Sequence, residues 1–203
     1  MPRPAARDPF APPAPHRPRL VVGGALLAIV ALFTAPGYLA RHRGVGEAAP
    51  AFRAAVVQPG PGLAPAPARG ASDYRGQVTL LDFWNLACAN CPPGLQELER
   101  LHQELGPRGL RVVAVSLDPA GDAGRVREAA RSLGLTYEVL QDAAGDSRRA
   151  YQVFGVPTSV LVDRGGVVRH RVIGVRYGPD SAHASEWTTP AGRAVLERAL
   201  AGR

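Results

Sequence analysis

The stretch Gln77-Val-Thr-Leu-Leu-Asp-Phe-Trp84 constrains this chain more than any other. It is a near-continuous apolar run of strand length, the pattern of a strand buried on both faces of a sheet. Four residues beyond it stands Cys88, and Cys91 completes a C-x-x-C pair; these are the chain's two cysteines. Leu95, Leu98, Leu101 and Leu105 then recur at helical spacing, with Glu97, Arg100 and Glu104 on other faces. That amphipathic helix is expected to stop at Gly106-Pro107. A buried strand, a dithiol and a helix in immediate succession is an arrangement that displays a reactive pair.

The rest of the chain reads as alternating elements. Strands are expected over Leu110–Leu117, Tyr137–Leu140, Thr158–Val162 and Val167–Ile173, with a short first strand over Phe52–Val57. Helices are expected over Asp122–Leu133, Ser147–Phe154 and Ala191–Leu200. Pro59–Gly70 is a Pro/Gly/Ala loop, and Asp163-Arg-Gly-Gly166 is a hairpin turn signal. Strands alternating with helices and closing on a hairpin indicate an α/β fold with a mixed central sheet and flanking helices.

A helix start offers unpaired backbone N–H groups and a positive dipole end, both of which favour thiolate over thiol at Cys88. Cys91, three residues on, is expected on the same helical face, where it can close a disulfide with it. Cys88 is therefore the expected attacking thiol and Cys91 the resolving one, through a mixed disulfide with the substrate. The competing reading is a pair of structural cysteines, but a bridge spanning two residues adds little stability. A lone C-x-x-C is at most half a zinc site.

Composition narrows the function classes. The net charge of +7 comes from 24 basic residues, every one an arginine, against 17 acidic ones. These arginines are scattered, with no basic helix or aromatic-interleaved patch, so nucleic-acid binding is not indicated. Residues 1–19 read as a disordered tail rich in Pro, Ala and Arg. Leu20–Ala40 is an uncharged run of 21 residues, about the length that crosses a bilayer core as a helix. Arg3, Arg7, Arg17 and Arg19 before it place the N-terminus on the cytoplasmic side and the remainder outside. A cleaved signal peptide is the alternative, disfavoured because the run is long and Tyr38 spoils a small-x-small site ending at Ala40. Residues 41–46 then serve as a linker and 47–203 as the folded domain, in an oxidising compartment either way.

The run Phe83-Trp84-x-x-x-Cys88-x-x-Cys91 resembles the active site of thioredoxin-fold proteins, and Gly155-Val156-Pro157-Thr158 resembles their cis-proline loop. Ala49-Pro50-x-Phe52, Asp73-Tyr-Arg-Gly76 and Val113-Ala-Val-Ser-Leu-Asp118 are similar to the membrane-anchored TlpA/ResA-like branch, AhpC/TSA-redoxin-like proteins that include cytochrome c maturation reductases. The resemblance spans roughly Glu47–Leu200. It implies a thiol–disulfide oxidoreductase, with Trp84, Val156 and Pro157 shaping the substrate site and Pro157 in the cis form. It also implies a protein thiol or disulfide as substrate and an integral-membrane thiol carrier as electron donor. No metal is implied, nor any cofactor beyond the Cys88–Cys91 disulfide.

Asp82 falls six positions before Cys88, where thioredoxins carry a buried acid. A buried carboxylate with a raised pKa suits it to accept the proton of Cys91. Three departures from the family pattern stand out: Ala87 where Trp is common, the uncharged Ala89-Asn90 pair, and Pro92-Pro93 directly after Cys91. The double proline predicts a first helical turn that is distorted or starts late. The alternative from another class is a copper chaperone of the SCO type holding metal with Cys88, Cys91 and His170; those proteins space their cysteines by three residues rather than two. A peroxiredoxin is not indicated, because Asn85 replaces the activating Thr.

Overall fold

The computed structural model describes residues 44–177 and 183–202. The expected tail (1–19), the apolar run (20–40) and the start of the linker lie outside these residues. Among the described residues no helix is long and apolar enough to cross a membrane.

The strands are β1 (Ala54–Gln58), β2 (Ala68–Arg69), β3 (Val78–Trp84), β4 (Leu110–Ser116), β5 (Glu138–Gln141), β6 (Thr158–Val162) and β7 (Val168–Ile173). They form one seven-stranded sheet in the order β2-β1-β5-β4-β3-β6-β7. β3, β4 and β5 run parallel, while β6, β7, β1 and β2 join antiparallel, so the sheet is mixed as expected. The helices are α1 (Cys91–Leu105), α2 (Ala123–Ser132), α3 (Asp146–Ala150) and α4 (Pro190–Leu200).

All seven residues of β3 are buried, because both faces of the strand are covered. Side chains alternate across a strand. Val78, Leu80 and Trp84 join a core with Leu95, Leu98 and Leu101 of α1 and Leu196 of α4. Leu81 and Phe83 join a second core on the opposite face with Phe52, Tyr74 and Tyr151.

Several boundaries differ from the sequence reading for identifiable reasons. Helix α1 begins at Cys91, with Pro92 and Pro93 inside its first turn. The helix thus starts late, as the double proline predicts, and its first-turn N–H groups, which have no intrahelical partner, tolerate proline. Helix α3 ends at Ala150 rather than Phe154, because Gln152 takes a left-handed conformation (φ 50°) and turns the chain away. The Pro59–Gly70 loop contains β2, which pairs with β1 through Ala54 and Arg69. The described end of the linker joins the domain, since Gly46 N–H donates to the carbonyl of Val168 at 2.8 Å. A small hairpin of β8 (Arg176–Tyr177) and β9 (His183–Ala184) was not foreseen.

Buried Glu138, 1% exposed, accepts from Arg69 Nε at 2.9 Å and from the Tyr74 hydroxyl at 2.7 Å. Burial and the Glu138 carboxylate hold that hydroxyl protonated and therefore able to donate. Truncating one partner of such a pair leaves an uncompensated buried charge. Glu138→Ala should lower unfolding free energy by roughly 3–5 kcal/mol, read by denaturant titration of the oxidised protein. A loss below about 1 kcal/mol, the size of an exposed pair, would show that the triad is not the buried lock described.

Candidate active site

The carboxyl ends of parallel β3, β4 and β5 lie at one end of the sheet. β6 runs antiparallel to β3 with Thr158 opposite Phe83, so the loop entering β6 reaches that same end. Loops at the carboxyl ends of parallel strands are where α/β sheets carry their sites. The sequence-predicted residues converge there.

Cys88 and Cys91 form a disulfide with an S–S distance of 2.09 Å and a Cα–Cα distance of 5.4 Å. Cys88 is half-buried and Cys91 only 1% exposed. The pair does not share one helical face. Cys88 sits in tight turns ahead of α1, where its N–H donates to Asn85 O at 3.2 Å and Cys91 N–H donates to Cys88 O at 3.2 Å. The disulfide therefore straddles the helix N-terminus, with the accessible sulfur outside it.

The Val156–Pro157 peptide is cis. Thr158 Oγ1 donates to Gly155 O at 2.7 Å, and Gly174 N–H donates to Pro157 O at 2.8 Å, so both flanks of the loop are tied down. Val156 is half-buried and packs against both cores, including the one that holds the cysteines. Just before it, Phe154 is 79% exposed, unusual for a large apolar side chain. Trp84, expected to shape the site, is buried with Cys91 and Leu95 and acts from within the core rather than at its surface.

Asp82 lies on the same face of β3 as Leu80 and Trp84, which is the face covered by α1 and holding Cys91. It is 4% exposed and accepts from Ser159 Oγ at 2.6 Å. Burial disfavours the charged form and outweighs the Ser159 bond, so its carboxyl pKa is pushed up to about 7. A cavity of about 30 Å³ adjoins it, lined by residues including Leu98, Pro157, Ser159, Glu186 and Trp187. That is room for about one water, beside both the cis-proline and the carboxyl. Gly192 of α4 lets this C-terminal segment close over, since a Cβ there would strike the Glu186 carbonyl.

His170, on β7, stacks edge-to-face with Trp187 at 5.5 Å. Among the described residues no cluster of His, Cys, Asp or Glu could hold a metal ion, so His170 is not brought together with the cysteines. Residues without an assigned role in the sequence reading also appear here. Ser159 and Trp187 line the Asp82 cavity, and Asp118 contacts the loop before Cys88. Ser159 could have been found by strand register opposite Asp82. Trp187 had no local signal, because it arrives from a segment without periodicity.

The Asp82 carboxyl retains its proton in the folded state up to about pH 7, whereas an unfolded aspartate releases it near 3.9. Folded protein thus holds a proton that unfolded protein has lost, and stability falls as pH rises through that window. Asp82→Asn cannot ionise and should remove this fall. It should gain stability over the parent at pH 8, by up to about 4 kcal/mol, and little at pH 4. Denaturant unfolding of the oxidised form at both pH values checks this, and an equal difference at the two would refute it.

Comparison with known proteins follows the same lines. The chain is 28% identical over 109 residues to thiol-disulfide oxidoreductase ResA of Geobacillus kaustophilus, covering 54% of this chain and 62% of that protein. It is 32% identical over 103 residues to thioredoxin-like protein YneN of Bacillus subtilis, covering 50% and 59%. The match thus spans about six-tenths of the length of these curated relatives. A Chlorobium tepidum structure, described as a thiol:disulfide interchange protein DsbE, superposes with a TM-score of 0.61 at 27% identity, covering 77% of this chain and 97% of that one. The fold is thioredoxin-like, an α/β domain with a mixed sheet. Residues 45–171 match the AhpC/TSA family, and the chain belongs to it.

Proposed function

We propose that this chain is a protein thiol–disulfide oxidoreductase working outside the cytoplasm, in the reductive direction. The observation that carries the reading is the disulfide itself. It sits at the sheet end where the cis-proline loop also lies, with one cysteine half-exposed and the other buried in the core on the face of β3 that also carries Asp82. A structural bridge has no need of that asymmetry.

In the reduced protein, Cys88 is the accessible thiol. Its thiolate attacks a substrate disulfide, forming a Cys88–substrate mixed disulfide and expelling one substrate thiolate. Cys91 then loses its proton to the Asp82 carboxylate, and its thiolate attacks the Cys88 sulfur. The second substrate thiolate leaves and the Cys88–Cys91 disulfide closes. Two electrons pass from the dithiol to the substrate, and the two thiolates take up protons. A carboxyl with pKa about 7 suits this step, because near neutral pH it is present in both forms.

An extended substrate segment would lie along Val156 and Pro157, with Phe154 offering an apolar contact beside it. Trp84 supports the site from the core. Resemblance to the TlpA/ResA-like branch favours reduction over oxidation, and makes apocytochrome c cysteines before haem attachment a candidate substrate. The 20–40 run would serve as a single-pass membrane anchor with the catalytic domain on the outer or periplasmic face. Because that compartment is oxidising, the oxidised pair would be reduced again by an integral-membrane thiol carrier.

Replacing Cys91 by Ala should leave mixed disulfides on Cys88 that survive non-reducing electrophoresis, and their partners identify the substrate. Replacing Cys88 by Ala should abolish both these adducts and turnover, by at least 100-fold. Equal adduct formation on Cys91 in the Cys88→Ala protein would reverse the assignment of the two thiols. Asp82→Asn should slow resolution of the mixed disulfide by about tenfold, one unit of driving force in a proton transfer, and flatten its pH dependence between 6 and 8. An unchanged profile would remove Asp82 from the mechanism.

A further inference from the structure

Asp118 lies just beyond the end of β4 and is 8% exposed. Its two carboxylate oxygens accept the Leu86 N–H at 3.2 and 3.1 Å, two positions before Cys88. Ser116 Oγ donates to the same carboxylate at 2.8 Å and accepts the Asp118 N–H at 3.2 Å, which fixes its direction from the strand side. The Gln141 amide donates to the carbonyls of Asp118 and Pro119 at 3.3 and 2.7 Å, tying this corner to β5. The disulfide-bearing loop is thereby fastened to the ends of two neighbouring strands.

The turns that follow Leu86 are closed by Cys88 N–H to Asn85 O and Cys91 N–H to Cys88 O. Each of those bonds spans only three residues, so it shapes the turn without orienting it on the sheet. The Leu86–Asp118 bond supplies that orientation across 32 positions of sequence.

We propose that Asp118 is a positioning residue for the dithiol, holding the Leu86–Cys91 turns so that the two sulfurs stay within bonding reach when reduced and the pair strongly favours the disulfide. This rests on the thiol–disulfide reading given above. The relevant equilibrium is dithiol plus glutathione disulfide giving protein disulfide plus two glutathione thiols, with two electrons and two protons leaving the protein. Its constant measures the effective concentration of one protein thiol at the other, which orientation raises and loop freedom lowers. Asp118→Ala frees the Leu86 N–H and with it the loop. Asp118→Asn keeps an oxygen for Leu86 and an amide for Ser116 Oγ, while removing the charge.

The test equilibrates the full chain, in detergent, with glutathione buffers and counts oxidised molecules by thiol alkylation. Asp118→Ala should have an oxidation constant at least tenfold below the parent, and Asp118→Asn should stay within threefold. An Asp118→Ala constant within threefold of the parent would overturn the proposal. So would an equal fall in both variants, since charge and not geometry would then be responsible. If Asp118→Ala does not fold, Ser116→Ala, which removes the bond that aims the carboxylate, should lower the constant threefold or more, and no change overturns the proposal. A parent protein that does not exchange with glutathione sinks the underlying reading as well. A parent that exchanges beside an unmoved Asp118→Ala removes this inference alone.

Discussion

Strand β3 has no free edge and no free face. It pairs along its whole length with β4 on one side and from Thr79 to Phe83 with β6 on the other, while the two cores close over its faces. A strand held in four directions has its register fixed, because a one-residue slip would exchange every side chain between the two cores. That register decides where Asp82 points. It also delivers Trp84, and hence the turns carrying Cys88, to the sheet end reached by the Gly155–Pro157 loop. The location of the chemistry is thus set by hydrophobic burial several residues away from any sulfur.

Two buried carboxylates show how the same cost of desolvation is met in different ways. Glu138 has a guanidinium and a phenol as partners, which compensate its charge and lock β5 to the segment before β3. Asp82 has one hydroxyl, which leaves desolvation dominant. A group so placed stores free energy that depends on its proton, which structural roles do not require and proton transfer does. Burial alone would not separate these two residues. The number and charge of their partners does.

Much of this was legible in the sequence because it rests on local patterns. The unbroken apolar run of β3, the leucine spacing of α1 and the Asp163–Gly166 turn each carry their own periodicity or turn chemistry, and each appears where expected. The misreadings arise where local rules are ambiguous or tertiary contacts decide. A helix start is expected at Cys88, yet α1 begins only at Cys91, the late start that Pro92-Pro93 predicts, and Cys88 lies in the turns ahead of it. The apolar residues up to Phe154 looked helical, but Val153 is buried in the second core while Phe154 turns outward, which a short helix could not combine with the approach to Pro157. The β8–β9 pairing and Trp187 come from a stretch without periodicity, and the place of Trp187 beside Asp82 is a product of the whole fold.

The loop bearing the cysteines shows the same division at smaller scale. Its two turns are made from local backbone bonds, and any sequence able to turn there could form them. What makes the turns a site is their attachment to the sheet, through Leu117 N–H on the Trp84 carbonyl at 2.9 Å and Leu86 N–H on Asp118. Ser116, between them in space, also gives its carbonyl to Asp142 N–H at 2.8 Å. Asp142 in turn holds the first residues of α3 through Asp146 N–H, Ser147 Oγ and Arg148 N–H. Helix α3 leads into the cis-proline loop. The two arms of the site, disulfide and proline, are therefore referenced to one pair of strand ends by carboxylate hydrogen bonds that tolerate little displacement. These bonds tie each arm to a fixed strand end, which suits the proposed exchange, in which sulfur atoms must meet in line.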